Sequence, residues 1–162
     1  DDEGVDAAEG ELICRSPSVM LGYLKDPEKT AETVKGGWLH TGDLVRIDED
    51  GNLFFFDRKK DMIKTGGMNV SSVDVERVVY QFPGVLEVAV VGAPDPYWSE
   101  AVTACVVVKP GQTIDIDKVI TFCKEHLASF KVPKAVHIID ALPKDTQGKI
   151  LKRELRKQFS NM

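Results

Sequence analysis

The sequence predicts an α+β fold, with a mainly β segment over residues 11–56 followed by a small layer of helices on a sheet. Three observations predict it. Apolar residues recur at helical spacing in two stretches of the second half, β-branched runs of strand length lie beside them, and the elements follow the order strand, helix, strand, strand, helix, strand, helix. Hydrophobic residues make up 43% and charged residues 29% of the 162, near the average for globular chains, so a packed core is expected and a disordered tail or fibrous repeat is excluded.

Glu11 to Ser16 alternates as a strand does. Pro27 to Val34 opens with proline at a first helical position and suits a short helix, which Gly36-Gly37 ends. Leu44–Ile47 and Asn52–Phe56 flank the acidic turn Asp48-Glu49-Asp50-Gly51, a β-hairpin pattern. Ser71 or Ser72 caps a helix whose Val75, Val78, Val79 and Phe82 share one face. Val85–Val91 and Ala101–Val108 are β-branched and read as two strands of one sheet. Ile116, Val119, Ile120, Cys123 and Leu127 mark a second amphipathic helix, Ala135–Ile139 a third strand, and Leu151–Phe159 a short basic helix.

Charge and cysteine count narrow the function classes. The net charge of −5 argues against a general nucleic-acid binder, whose affinity comes from neutralising phosphates. No apolar stretch reaches the roughly 18 residues of a membrane span, and the acidic start (Asp1, Asp2, Glu3, Asp6) is unlike a signal peptide, so the chain reads as soluble and cytoplasmic. That start, without an initiator Met, reads as though cut from something longer. Cys14, Cys105 and Cys123 form no C-x-x-C pair, and His40, His126 and His137 stand apart, so buried thiols are expected and no metal site.

Four stretches combine glycine with charge. Trp38-Leu39-His40-Thr41-Gly42-Asp43 has a plain reading as a turn before a strand. Asp57 to Lys64 (D-R-K-K-D-M-I-K) has one as a solvated face, and Thr65-Gly66-Gly67-Met68-Asn69-Val70 as a tight hairpin turn, although paired glycines also admit a ligand close to backbone. Pro143 to Ile150 (P-K-D-T-Q-G-K-I) fails the phosphate-loop pattern, because Pro143 replaces the first glycine and Ile150 the magnesium-binding hydroxyl. Even so, Lys144, Lys149, Lys152, Arg153, Arg156 and Lys157 face only Asp145 and Glu154, a local charge of +4 that suggests an anionic ligand.

Taken in order, E-G-E-L near Gly10, W-L-H-T-G-D at 38–43, D-G-N-L at 50–53, D-R-K-K-D-M-I-K-T-G-G-M-N-V at 57–70, D-V-E at 74–76 and P-K-x-x-x-G-K-I-L-K at 143–152 resemble the adenylate-forming acyl-CoA synthetase family. The likeness spans nearly the whole chain. It implies residues 1–57 as the end of a large N-terminal adenylating domain and 58–162 as a mobile C-terminal lid. It also implies a reaction in which a carboxylic acid and ATP, accompanied by Mg2+, give an acyl-adenylate and pyrophosphate, after which CoA takes the acyl group as a thioester. The Ser/Thr/Gly-rich phosphate loop and adenine motif of such enzymes are not among these residues, so the chain alone is expected to be inactive and to bind no cofactor tightly.

The same resemblance implies roles residue by residue. Asp43 accepts from the ribose hydroxyls of ATP, a task suited to an acceptor-only carboxylate, and Arg58 reaches the same ribose or the oxygens beside it. Lys149 is the catalytic lysine, bridging substrate carboxylate and phosphate during adenylation. Lys60 is the hinge, and Lys64, Gly66 and Gly67 border the channel for the CoA arm. A carrier-protein-loading adenylation domain is a second reading within the enzyme class, and a non-catalytic binding or self-associating module is the reading outside it. Residues 11–56, with Phe54-Phe55-Phe56, are where such a chain would form a homo-oligomer.

Overall fold

The computed structural model describes residues 9–160, and the acidic start lies outside them. Two compact units divide the chain, residues 1–60 and 61–162.

The first unit holds β1 (Glu9–Cys14), α1 (Pro27–Thr33), β2 (Val34–Lys35), β3 (Trp38–Ile47) and β4 (Leu53–Arg58). β3 is the spine: β1, β2 and β4 all pair with it antiparallel. Proline opens α1, and Asp26 caps it by accepting the Lys29 N–H at 2.9 Å. The helix stops at Thr33, a residue short of the predicted end. Gly36 and Gly37, at φ 56° and 80°, then make a two-residue hairpin turn between β2 and β3 instead of a helix stop. β3 likewise starts at Trp38, earlier than Leu44, so the Thr41-Gly42-Asp43 stretch is strand and not the turn before one. Gly42 at φ 74° and register shifts on both of its partners absorb the irregularity.

The second unit holds β5 (Ile63–Thr65), β6 (Met68–Val70), α2 (Ser72–Tyr80), β7 (Val85–Asp95), β8 (Ser99–Val108), α3 (Ile116–His126), a 3-10 turn at Ser129–Lys131, β9 (Ala135–Ile138) and α4 (Lys152–Ser160). Of the two candidate caps Ser71 takes the role, its Oγ accepting the Asp74 N–H at 3.3 Å. Strands β7 and β8 form the long central hairpin, with β5–β6 joined at Thr65↔Ser99 and β9 running parallel to β8.

The β-branched runs have a direct cause: the hairpin is covered on both faces. Val88, Val90, Val102, Ala104 and Val106 pack against Val75 and Val79 of α2 and Val119 and Cys123 of α3. Ala89, Val91, Cys105 and Val107 face the other way, against Leu142 and Leu155, the latter the buried residue of α4. A sheet buried twice has no polar face, hence near-continuous apolar strands, and each Val or Leu so buried contributes about 1.5–3 kcal/mol. Burial pushes the Cys105 and Cys123 thiols up to about 11, so both are neutral packing groups, whereas Cys14 is only half-buried. Among the described residues, no helix is long and apolar enough to cross a membrane.

Candidate functional site

In the first unit, pairing of β3 with β4 sets Asp43 directly across from Arg58. The Arg58 Nε donates to Asp43 Oδ1 at 2.9 Å, and both side chains keep about a third of their surface exposed. A free carboxylate lone pair and guanidinium donors are therefore available at one edge. Arg58, with Gly42, Thr41, His40 and Lys59, lines a cavity of 540 Å³. Asp43 lies beside that lining.

Behind the pair stands a residue to which sequence reasoning assigned no role. Glu11 on β1 accepts the Gly42 N–H through Oε1 at 3.1 Å. Its Oε2 takes the Lys59 ammonium at 2.8 Å and approaches His40 Nδ1 at 3.4 Å. Burial alone would raise the Glu11 carboxyl, but the bonds from Lys59 and His40, the Lys59 charge and the Gly42 N–H together hold it below the usual range. Thr41 Oγ1 donates to the Leu12 carbonyl at 2.7 Å and accepts the Asp43 N–H at 3.1 Å, so the backbone presenting Asp43 is tied to β1 twice. The sequence signal was the E-G-E-L run, but nothing local says which partners its second Glu meets.

Lys60 is exposed in the turn after β4 and is the last residue of the first unit. Asp61, the first of the second, accepts from Arg156 Nη1 of α4 at 2.9 Å.

In the second unit, Gly66 and Gly67 form the two-residue β5–β6 turn at φ 55° and 79°. A Cβ on Gly66 would sit 3.0 Å from the Trp98 ring, whereas one on Gly67 would meet nothing within 4 Å. The missing side chain of Gly66 is thus filled by indole, and open space lies over Gly67. The Trp98 carbonyl accepts the Gly66 N–H at 2.8 Å, and the ring carries the Lys134 ammonium 4.7 Å from its centroid. Lys64 is exposed on β5, its N–H donating to Glu100 Oε2 at 2.6 Å.

Lys149 lies on a different loop. Asp145 Oδ1 accepts the N–H groups of Gln147 and Lys149, each at 2.9 Å, and Gly148 turns the chain at φ 83°. A single carboxylate thus fixes the backbone that carries the lysine. Of the six cations that gave this region its +4, five are paired within the unit. Lys144 bonds Glu87, Lys152 meets Glu76 at 2.6 Å, Arg156 meets Asp61, and Arg153 and Lys157 share Glu154. Lys149 alone of the six makes no ion pair among the described residues.

The two loops sit at opposite ends of the β7–β8 hairpin. Lys144, which opens the Lys149 loop and bridges to Ile150, bonds Glu87 at the start of β7. The Gly66-Gly67 turn bonds Trp98, beyond the far end of β7. Between Glu87 and Asp95 the strand runs roughly 25 Å. Asp43 and Arg58 are brought together in one unit, and Lys149 and the glycine pair are held apart in the other.

Residues 74–149 match the AMP-binding enzyme C-terminal domain. A long-chain-fatty-acid–CoA ligase of Salmonella typhimurium is 51% identical over 156 residues, 96% of this chain but 28% of that protein. The chain thus spans less than a third of the length of the curated relatives it matches. An ATP-bound crystal structure of MatB from Rhodopseudomonas palustris is 40% identical with a TM-score of 0.87, over 94% of this chain and 31% of that one. The apo form of the same relative, at equal identity and coverage, scores 0.68, so the matched region of that relative has different shapes in its two forms. An amide bond synthetase from Marinactinospora thermotolerans is 42% identical with a TM-score of 0.85, covering 98% of this chain and 33% of its own. Over residues 74–149 the chain belongs to the AMP-binding enzyme C-terminal domain family, and its curated relatives are adenylate-forming acyl-CoA ligases.

Proposed function

We propose that this chain is the C-terminal part of an ATP-dependent acyl-CoA ligase, with the first unit, residues 1–60, closing the large adenylating domain and the second, residues 61–162, forming its lid, three residues later than the boundary after residue 57 expected from the sequence. The whole enzyme converts a carboxylic acid, ATP and CoA to acyl-CoA, AMP and pyrophosphate through an acyl-adenylate, in the cytoplasm. The observation that carries the reading is the separation of the Lys149 loop from the Gly66-Gly67 turn across the length of β7. One lid orientation cannot present both to one reacting centre, whereas a two-step reaction with a swing between steps uses each in turn. The two shapes of the MatB relative support that reading.

In the first step Asp43 receives the ribose hydroxyls of ATP and Arg58 holds Asp43 in place or reaches the ribose itself. Lys149, with no ion-pair partner among the described residues, supplies an ammonium to the negative charge that develops as the carboxylate oxygen attacks phosphorus and pyrophosphate leaves. No group of three or more His, Cys, Asp or Glu side chains gathers as metal ligands among the described residues, and Mg2+ enters as part of the nucleotide substrate. In the second step Lys60 absorbs the backbone rotation, and the open side of Gly67, with Lys64 and the Trp98 edge, borders the path of the CoA thiol.

Long-chain fatty acids are the proposed acid class, supported by the Salmonella relative. The amide bond synthetase supports a second acceptor reading, in which an amine rather than a thiol takes the acyl group. The test is acid-dependent pyrophosphate release by the intact enzyme, with ATP, Mg2+ and a panel of acids, followed by transfer to CoA or to amines. Pyrophosphate release with fatty acids and thioester formation with CoA are expected, and the isolated chain is expected to release none. An intact enzyme that releases no pyrophosphate with any acid would overturn the reading.

A further inference from the structure

We infer that Glu11 and Arg156 are positioning residues that clamp the two flanks of Lys60, confining the swing of the lid to that one residue. The inference rests on the hinge reading above and adds what makes the hinge short. On the near side, Lys59 is held twice within the first unit: its N–H donates to the Gly42 carbonyl at 2.8 Å and its ammonium to Glu11 Oε2 at 2.8 Å. On the far side, the Asp61 carboxylate is largely buried, with 11% of its side chain exposed, and accepts from Arg156 Nη1 at 2.9 Å. Arg156 comes from α4, whose Leu155 is buried in the core, so Asp61 is tied to the rigid body of the second unit. Lys60 lies between, exposed, with no side-chain partner among the described residues.

The consequence is mechanical. A swing spread over several loose residues would deliver the lid in many orientations, and the loss of alignment would cost both half-reactions; a swing about one backbone position has few end points. Glu11 does more than hold Lys59, because its other oxygen fixes the Gly42 N–H next to Asp43. One carboxylate thus references the near side of the hinge to the strand that meets the nucleotide. Glu11→Gln keeps an oxygen for Gly42 but gives Lys59 a neutral partner, and so separates the two roles.

Trypsin supplies a readout that does not depend on activity, since Arg58-Lys59-Lys60 is a run of cleavage sites that a clamp protects. In the intact enzyme, Glu11→Gln should speed cleavage within residues 58–61 by roughly two- to fivefold, the factor that a partly exposed ion pair commands. Arg156→Gln, which strips the partner from a largely buried carboxylate, should speed it more. Both variants should also change the ratio of thioester-forming to adenylating rate, measured separately on the same preparation, and Arg156→Lys should restore part of it. Cleavage and rate ratio at wild-type values in both variants would overturn the clamp. If at the same time Lys60→Pro still lowers the thioester step, the hinge reading stands without the clamp; if Lys60→Pro changes neither step, it is the hinge reading that fails.

Discussion

Asp43 and Arg58 stand directly opposite one another across β3 and β4, with the guanidinium Nε 2.9 Å from the carboxylate. Neither is buried. The arrangement aims the carboxylate while leaving it free to accept further bonds. Asp43→Ala in the intact enzyme should raise the KM for ATP by roughly ten- to a hundredfold, the size of a lost hydrogen bond to a charged group. Arg58→Ala should raise it less, and the double variant should fall short of the product of the two, because each acts partly through the other. Independent, multiplying effects would contradict the pairing.

Lys60→Pro locks φ at the turn between the units. The expected result is suppressed transfer to CoA with acyl-adenylate still formed, measured as thioester yield against pyrophosphate burst. Unchanged overall turnover would argue against a swing at this position.

The two glycines of the β5–β6 turn should differ in stability cost. Both need positive φ, which costs an L-residue about 1–2 kcal/mol. Only Gly66 also faces Trp98 at 3.0 Å, and overpacking there adds about 1 kcal/mol or more. Urea denaturation of Gly66→Ala and Gly67→Ala should therefore rank them in that order. Equal midpoints would mean that the indole moves aside freely.

Glu11 makes stability depend on acid. Its folded carboxyl titrates below its ordinary value of 4.5, so its contribution is present above that pH and is lost as pH falls through the lower, folded value. At neutral pH Glu11→Gln should lose about 1 kcal/mol or less, the scale of a partly exposed pair. The gap between variant and parent should close in acid; a gap that widens on acidification would show the carboxyl to be destabilised by folding.

What could be read from the sequence was what depends on near neighbours. The cap at Ser71, the apolar stripe of α2 and the β-branched hairpin follow from residues a few positions apart, and each formed close to where it was expected. What could not be read depends on register. Gly42 looked like punctuation, yet tertiary pairing on both sides carried β3 through it. The basic stretch after residue 144 looked like an open anion site because its neutralising acids, Glu76, Glu87 and Asp61, lie far away in the chain. Among the described residues, folding leaves one ammonium of that patch, Lys149, without an ion pair. Glu11 was overlooked for the same reason, since Lys59 is 48 residues on.

That ammonium is the group on which the proposed adenylation step turns. The most direct measurement compares Lys149→Ala with the parent enzyme in two assays: acyl-adenylate formation from acid and ATP, and thioester formation from preformed adenylate and CoA. The role proposed for Lys149 requires the first to fall by roughly 10²- to 10³-fold, as when a preorganised charge donor is removed, and the second to fall far less. Equal losses in both steps, or adenylation at the parent rate, would contradict it.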